Sequence, residues 1–174
     1  MLVAGTSGAG KTTLGRTVAE VLDCPHTELD SLHHGPGWTE RPQFEDDVRR
    51  VVAGATWVSD WQYAAVREVL LERADLLVWL DLPRAVITAR VVRRTLRRRL
   101  QREVLWNGNT EPPLRTFLTD PDHIVRWSWR THPCTGGRVQ AALTARPALP
   151  VVRLRSPAEV TAWVAGPLRS SAYC

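Results

Sequence analysis

Short, nearly continuous apolar runs recur along the chain, separated by stretches in which apolar residues return every three or four positions. "MLVAG", "TWVSD", "DLLVWLD" and "PVVRLR" are of the first kind and predict strands. The unbroken apolar character of "LLVWL" predicts a sheet covered on both faces. "CPHTELD" predicts a short further strand, second in chain order, ending at Asp30. The longer stretches carry a helical period. "KTTLGRTVAEVLD" places Leu14, Val18, Val21 and Leu22 on one side of a helix. "QFEDDVRRVVAG" is an amphipathic helix stopped by Gly54, and "YAAVREVLLERA" is another. "PRAVITARVVRRTLRRRL" is a long helix with Pro83 suited to its first turn. "DPDHIVRWSWRTHPCTGGRVQAALTA" is helical at least to Thr131, and its Pro133 with Gly136–Gly137 predicts a break or kink. "SPAEVTAWVAG" closes the series, with Ser156 as N-cap, Pro157 in the first position and Glu159 completing a capping box. "SLHHGPGWTERP" and "NGNTEPP" read as loops.

Strands alternating with helices predict an α/β fold: a parallel sheet between two helical layers. The 174 residues fit one domain, with no repeat and no dividing linker.

One stretch fixes the chemistry. "GTSGAGKT", Gly5–Thr12, matches G-x-x-x-x-G-K-[ST] at every fixed position and lies between a strand and a helix start. Its glycines let backbone N–H groups turn toward phosphate oxygens, and the helix N-terminus adds positive potential. Thr6, Ser7, Gly8, Ala9, Gly10 and Thr13 belong to the same cradle. Lys11 is expected to reach the β- and γ-phosphates of ATP, and Thr12 to offer its hydroxyl to Mg²⁺. The expected fold is therefore the three-layer P-loop fold, five parallel strands in the order 2-3-1-4-5.

Composition adds a sharp charge asymmetry. The formal net charge is +5, and the window Arg93–Glu103, with six Arg and one Glu, accounts for all of it. A nucleic-acid partner wants a broad basic surface, so this concentration argues against one. The basic residues are 22 Arg and the single Lys11, placed where a compact ammonium is wanted. Three cysteines at unpatterned spacings make neither a disulfide framework nor a CxxC site. With no leader and no apolar run long enough to span a bilayer, a cytoplasmic setting without membrane attachment is expected.

Candidate site residues lie at strand ends. Asp81 is the better match to an apolar run followed by aspartate, and Asp60 the poorer. Asp81 could instead cap the helix before Pro83. Asp30 stands where a carboxylate can orient an acceptor hydroxyl and take its proton, or simply cap a turn. His33, His34 and Trp38 follow; they either line an acceptor pocket or, for Trp38, belong to the core. The adjacent histidines have no ligand spacing to support a metal. In the basic helix Arg90, Arg94 and Arg98 share one face, with Arg93 and Arg97 on a neighbouring stripe. Arg126 and Arg130 are again four apart and could reach phosphates from the other side.

"GTSGAGKTTL", "ELDSLHHGPGW", "WVSDWQY", "LLVWLDLPR", "RVVRRTLRRRL", "LWNGNTEP", "RWSWRTH" and "VVRLRSPAEV" together resemble the small P-loop kinases of the adenylate kinase-like group. Among these they resemble the bacterial "DNA topology modulation protein" family, over roughly residues 2–165. The resemblance implies ATP binding and an arginine-bearing lid, here over about 97–120, with "LWNGNTEPP" as its mobile tip. It implies Asp60 as the metal-side acid and Arg90 with Arg94 as the lid-start pair on adenine and phosphates. Arg94, Arg98, Arg126 and Arg130 would act on the transferring phosphoryl group. Arg155 and Pro157 in "RLRSP" match the loop at the adenine edge. Relatives often show Asp-Gly-Asn-Tyr where this chain has Asp60-Trp61-Gln62-Tyr63, so Trp61 and Tyr63 are expected to shape the acceptor side. The family names no acceptor. Three readings stay open: a kinase for a small hydroxyl-bearing molecule, a nucleotide or nucleoside kinase, and a nucleic-acid-associated ATP-binding regulator.

Overall fold

The computed structural model describes residues 1–110, 112, 116–120 and 123–171. Five strands, β1 (Leu2–Gly5), β2 (His26–Thr27), β3 (Val58–Asp60), β4 (Leu77–Leu80) and β5 (Val151–Leu154), form one sheet in the order β2-β3-β1-β4-β5. Every pairing is parallel, and the register sets Val3 beside Asp60 and Gly5 beside Leu80. This is the predicted order.

Alternation along the strands divides the core into two layers. Leu2, Ala4 and Leu77 point into one, where they meet helices α3 (Phe44–Ala53), α4 (Arg67–Arg73) and the second half of α7 (Ile124–Ala145). Val3, Val78 and Leu80 point into the other, against α1 (Lys11–Leu22), α5 (Arg84–Leu100) and α8 (Pro157–Trp163). Two short helices, α2 (Leu29–His33) and α6 (Thr116–Thr119), complete the set used here. Cys24 and Cys134 are free thiols. No helix among the described residues is long and apolar enough to cross a membrane.

Three expectations need correction. The second strand stops at Thr27, so Asp30 lies in the first turn of α2 and not at a strand end. Asp81 does not cap α5, whose N-cap is Pro83. Its Oδ2 instead accepts two bonds from Arg153, at 2.8 and 2.5 Å. Finally, α7 runs without interruption through Pro133 and both glycines. Proline cannot donate to the carbonyl four residues back, so Trp129 O loses its helical partner. Arg84 Nη2 replaces it at 2.5 Å, and the same guanidinium lies 3.7 Å from the Trp129 ring centroid. The capping box of α8 forms as expected: Ser156 Oγ accepts from Glu159 N at 3.1 Å, and Glu159 Oε2 accepts from Arg155 N at 2.8 Å.

Arg84→Ala should therefore destabilise the protein by about 1–2 kcal/mol, the combined worth of a charged hydrogen bond and a cation–π contact. Urea unfolding monitored by circular dichroism checks this; an unchanged midpoint would show that Pro133 is accommodated some other way.

Candidate active site

The P-loop is fixed from outside by two helices. Gly8 and Gly10 take left-handed backbone angles, φ 89° and 103°. A Cβ on Gly8 would lie 2.1 Å from Val91 Cγ2 of α5, so only glycine permits both the turn and the contact. Arg90 Nη1 donates to Ala9 O at 3.0 Å, and Ser128 Oγ of α7 donates to Ser7 O at 2.8 Å. Thr6 and Thr135 hydroxyls meet at 3.2 Å. Drawing these carbonyls outward leaves the inner side of the loop to its amides.

Beside the loop opens a cleft of about 1100 Å³. It brings together Ser7 to Thr13 of the P-loop, Asp30 and Asp60, the α5 arginines, and Pro157. Both arginine stripes border it: Arg90, Arg94 and Arg98, and also Arg93 and Arg97. Gly5 and Thr6 support the loop from β1 and from behind. Arg126 and Arg130 are not among its walls; both are exposed, and Arg130 lies over the Trp127 ring at 5.2 Å. Arg155 is exposed beside the cleft's edge and does not line it. Of the expected lid, residues 111 and 113–115 lie outside the described residues.

The two site aspartates have different environments. Asp60 is 6% exposed and its Oδ1 accepts from Leu29 N at 2.9 Å. Burial pushes its carboxyl up to about 6, against the pull of the Lys11 ammonium. Asp30 is held through Oδ1, which accepts from Gln62 Nε2 at 2.5 Å and Tyr63 OH at 2.6 Å. Burial and the Asp30 charge raise the Tyr63 phenol far above its usual range, so it stays a donor. Tyr63 adopts φ 56°, a conformation bulky residues seldom hold, which marks the position as constrained by its contacts.

His33, His34 and Trp38 form the layer behind Asp30, not the cleft wall. The His33 ring stacks on Tyr63 at 4.0 Å, and His34 Nε2 lies 3.1 Å from the Tyr63 hydroxyl. Burial lowers the His34 pKa, favouring the neutral ring at pH 7. Trp61, expected to crowd the acceptor edge, is 8% exposed and packs in the α3–α4 core layer, its Nε1 donating to Arg67 O at 3.2 Å. A tryptophan at this position thus does not narrow the cleft.

Among the cleft residues that sequence reasoning missed are the charged Arg16, Glu28, Glu103 and Arg169, and Gln62. Glu28 Oε2 lies 3.4 Å from the Thr12 hydroxyl, and its Oε1 is 3.5 Å from Arg16 Nη2. The signal was present in "ELD", two carboxylates two positions apart just after a strand. Glu103 turns back onto the basic helix, 3.3 Å from Arg98 Nε and 3.7 Å from Arg97 Nη2.

The fold is that of P-loop kinases. A gluconokinase from Sinorhizobium meliloti 1021 superposes with a TM-score of 0.51 at 20% identity, over 99% of this chain and 94% of that one. A shikimate kinase from Bacteroides thetaiotaomicron gives 0.48 at 16% identity over 99% and 97%. A sugar kinase from Janibacter sp. HTCC2649 gives 0.47 at 18% over 98% and 95%. No family model matches the chain, and no curated protein sequence matches it.

The raised Asp60 carboxyl has a sign that can be measured. A folded-state pKa above the unfolded value means the folded state holds more protons between about pH 4 and 6. The Asp60 contribution to stability therefore falls as pH rises through that window. Asp60→Asn should gain stability over wild type by about 2–3 kcal/mol between pH 4 and pH 7, and the gain should level off above. His26 and His34, whose pKa values burial lowers, contribute with opposite sign in both proteins, so the difference isolates Asp60. A difference independent of pH in paired urea titrations would contradict the assignment.

Proposed function

We propose that the chain is an ATP-dependent phosphotransferase that moves the γ-phosphoryl group of ATP to a hydroxyl of a small molecule. The observation that carries this reading is convergence: the P-loop, buried Asp60, tethered Asp30 and five arginines of one helix all border a single cleft. In this reading P-loop amides and Lys11 hold the triphosphate. Pro157 lies against the adenine, and Arg155 and Thr13 flank it.

The donors fit Mg²⁺. Thr12, Asp60 and Glu28 offer oxygen only, the preference of a hard cation that completes its shell with phosphate and water. Among the described residues no cluster of three His, Cys, Asp or Glu forms a free-standing metal cage. Thr12 and Asp60, the latter through water, would hold the ion, with Glu28 keeping the Thr12 hydroxyl in place. Bound there, Mg²⁺ would neutralise charge on the β- and γ-phosphates.

Asp30 is the proposed base. With Oδ1 fixed by Gln62 and Tyr63, its second oxygen is left for an acceptor hydroxyl. The acceptor oxygen bonds to the γ-phosphorus, the bond to ADP breaks, and the hydroxyl proton passes to Asp30. Arg94 and Arg98, with Arg93 and Arg97, supply charge to the transferring oxygens, and Arg90 holds the P-loop. His33, His34 and Tyr63 orient Asp30 from behind, and Trp38 supports His34.

A nucleoside phosphate as acceptor is favoured by one observation. Among the described residues, eight cationic side chains and four carboxylates line the cleft, more positive charge than one magnesium-bound nucleotide uses. The resemblance to the topology modulation family names no acceptor, and its suggestion of nucleic acid gains no support from arginines that face a cleft.

The test is ADP release with ATP, Mg²⁺ and a panel of sugars, hydroxy acids and nucleoside phosphates. Wild type should turn over at least one acceptor, and Lys11→Ala should lose about 10²–10³-fold in kcat/KM. Failure of wild type to bind ATP in calorimetry, or full turnover by Lys11→Ala, would contradict the reading.

A further inference from the structure

The lid tip and the loop behind Asp30 are built alike. His34 pairs with Glu40 and Val104 with Thr110, each in a single antiparallel bridge six residues apart. Inside each, a backbone bond closes the turn at 2.7 Å: Gly35 N to Thr39 O, and Leu105 N to Asn109 O. Each turn holds two successive left-handed residues, Gly37 and Trp38 in one, Asn107 and Gly108 in the other. The two face each other, with the Trp38 and Trp106 rings edge-on at 6.4 Å.

One side chain lies between them. Asn109 is polar yet only 5% exposed. Its Oδ1 accepts from Trp38 N at 3.0 Å, and its Nδ2 donates to Gly35 O and to Trp106 O, each at 2.8 Å. Asn107 Nδ2 donates to His34 O, and Trp38 Nε1 to Thr110 O at 3.4 Å. An amide satisfied at both ends in a buried place is a specific lock, since losing it strands several polar groups. The bond to Asn109 also helps hold Trp38 at φ 61°, a conformation that side chain resists.

We propose that Asn109 is a positioning residue carried by the lid, which pins the 34–40 turn so that the arginine helix and the acceptor wall close as one body. This rests on the kinase reading of the cleft. The chain of contact is short: Asn109 holds the turn, the turn seats His34, His34 meets the Tyr63 hydroxyl, and that hydroxyl binds Asp30. None of residues 31–41 borders the cleft, so a nucleotide reaches this turn either through the lid and Asn109 or through Asp30 and Tyr63, and the Asn109 variant separates the two routes. Nucleotide binding therefore completes the acceptor side before transfer, which keeps water from being the acceptor.

Amide exchange read by mass spectrometry tests this, with peptides covering the P-loop, 33–41, 90–110 and β3. Without nucleotide, Asn109→Ala should speed exchange of both turns about tenfold or more, as loss of two to three buried hydrogen bonds implies, and leave β3 unchanged. A turn at 33–41 that exchanges as in wild type would overturn the clasp. With Mg²⁺ and a non-hydrolysable ATP analogue, wild type should slow at the P-loop, the α5 helix and 33–41. Asn109→Ala should slow only at the first two. Protection of 33–41 by the analogue in Asn109→Ala as in wild type would overturn the coupling, because a merely structural role would not change how a distant ligand is felt. An analogue that protects the P-loop of neither protein would instead sink the kinase reading, while the nucleotide-free comparison still decides the clasp.

Discussion

The contact on which the rest depends is the one between Gly8 and the arginine helix. A P-loop needs glycine for its backbone angles, but here the missing side chain does a second job. It lets Val91 and the Ile87 carbonyl approach the loop directly. That approach fixes where α5 crosses the sheet, and so where its arginines stand. Arg90 then bonds the loop carbonyl it covers, and the arginines one and two turns farther on border the cleft. The basic run is thus a wall of the cleft because of a packing constraint, whatever its overall charge.

The carboxyl edge of the sheet divides labour by environment. Asp60 sits beside β1, buried and raised in pKa, within the field of the one lysine in the chain. A cation arriving there would relieve the burial that holds the proton. Asp30, in the first turn of α2, is tethered by two donors. In the proposed reading, separating a metal-side acid from an acceptor-side base in this way lets two carboxylates work in one cleft without sharing a role.

The alternation of strand and helix and the phosphate cradle were legible in the sequence because each is a local pattern; the sheet order joins distant segments and followed from the P-loop resemblance. The apolar runs name the strands, and "GTSGAGKT" names the loop between β1 and α1. Local patterns failed where a distant partner intervenes. Pro133 reads as a break, yet Arg84, 49 positions away, supplies the missing bond. Trp61 reads as an obstruction, yet the α3–α4 layer takes it. Asp30 reads as a strand end because β2 is only two residues long and its continuation coils at once into α2. Glu28, Gln62 and Asn109 sit inside "ELD", "WQY" and "NGN", but only the fold shows what their side chains hold. The surplus of arginine was visible in composition, but which arginines meet the cleft depended on the helix register against Gly8.

The central claim is that one cleft assembles nucleotide, metal and acceptor base. A crystal structure with ADP, Mg²⁺ and a planar metal fluoride mimicking the transferring phosphoryl group tests it most directly. The fluoride is expected between Lys11 and the α5 arginines, the ion on Thr12 with Asp60 one water away, and the second oxygen of Asp30 facing the fluoride with room for one acceptor atom. Nucleotide bound away from the P-loop, or a fluoride whose open face meets the α5 arginines while Asp30 stays remote from it, would contradict the account.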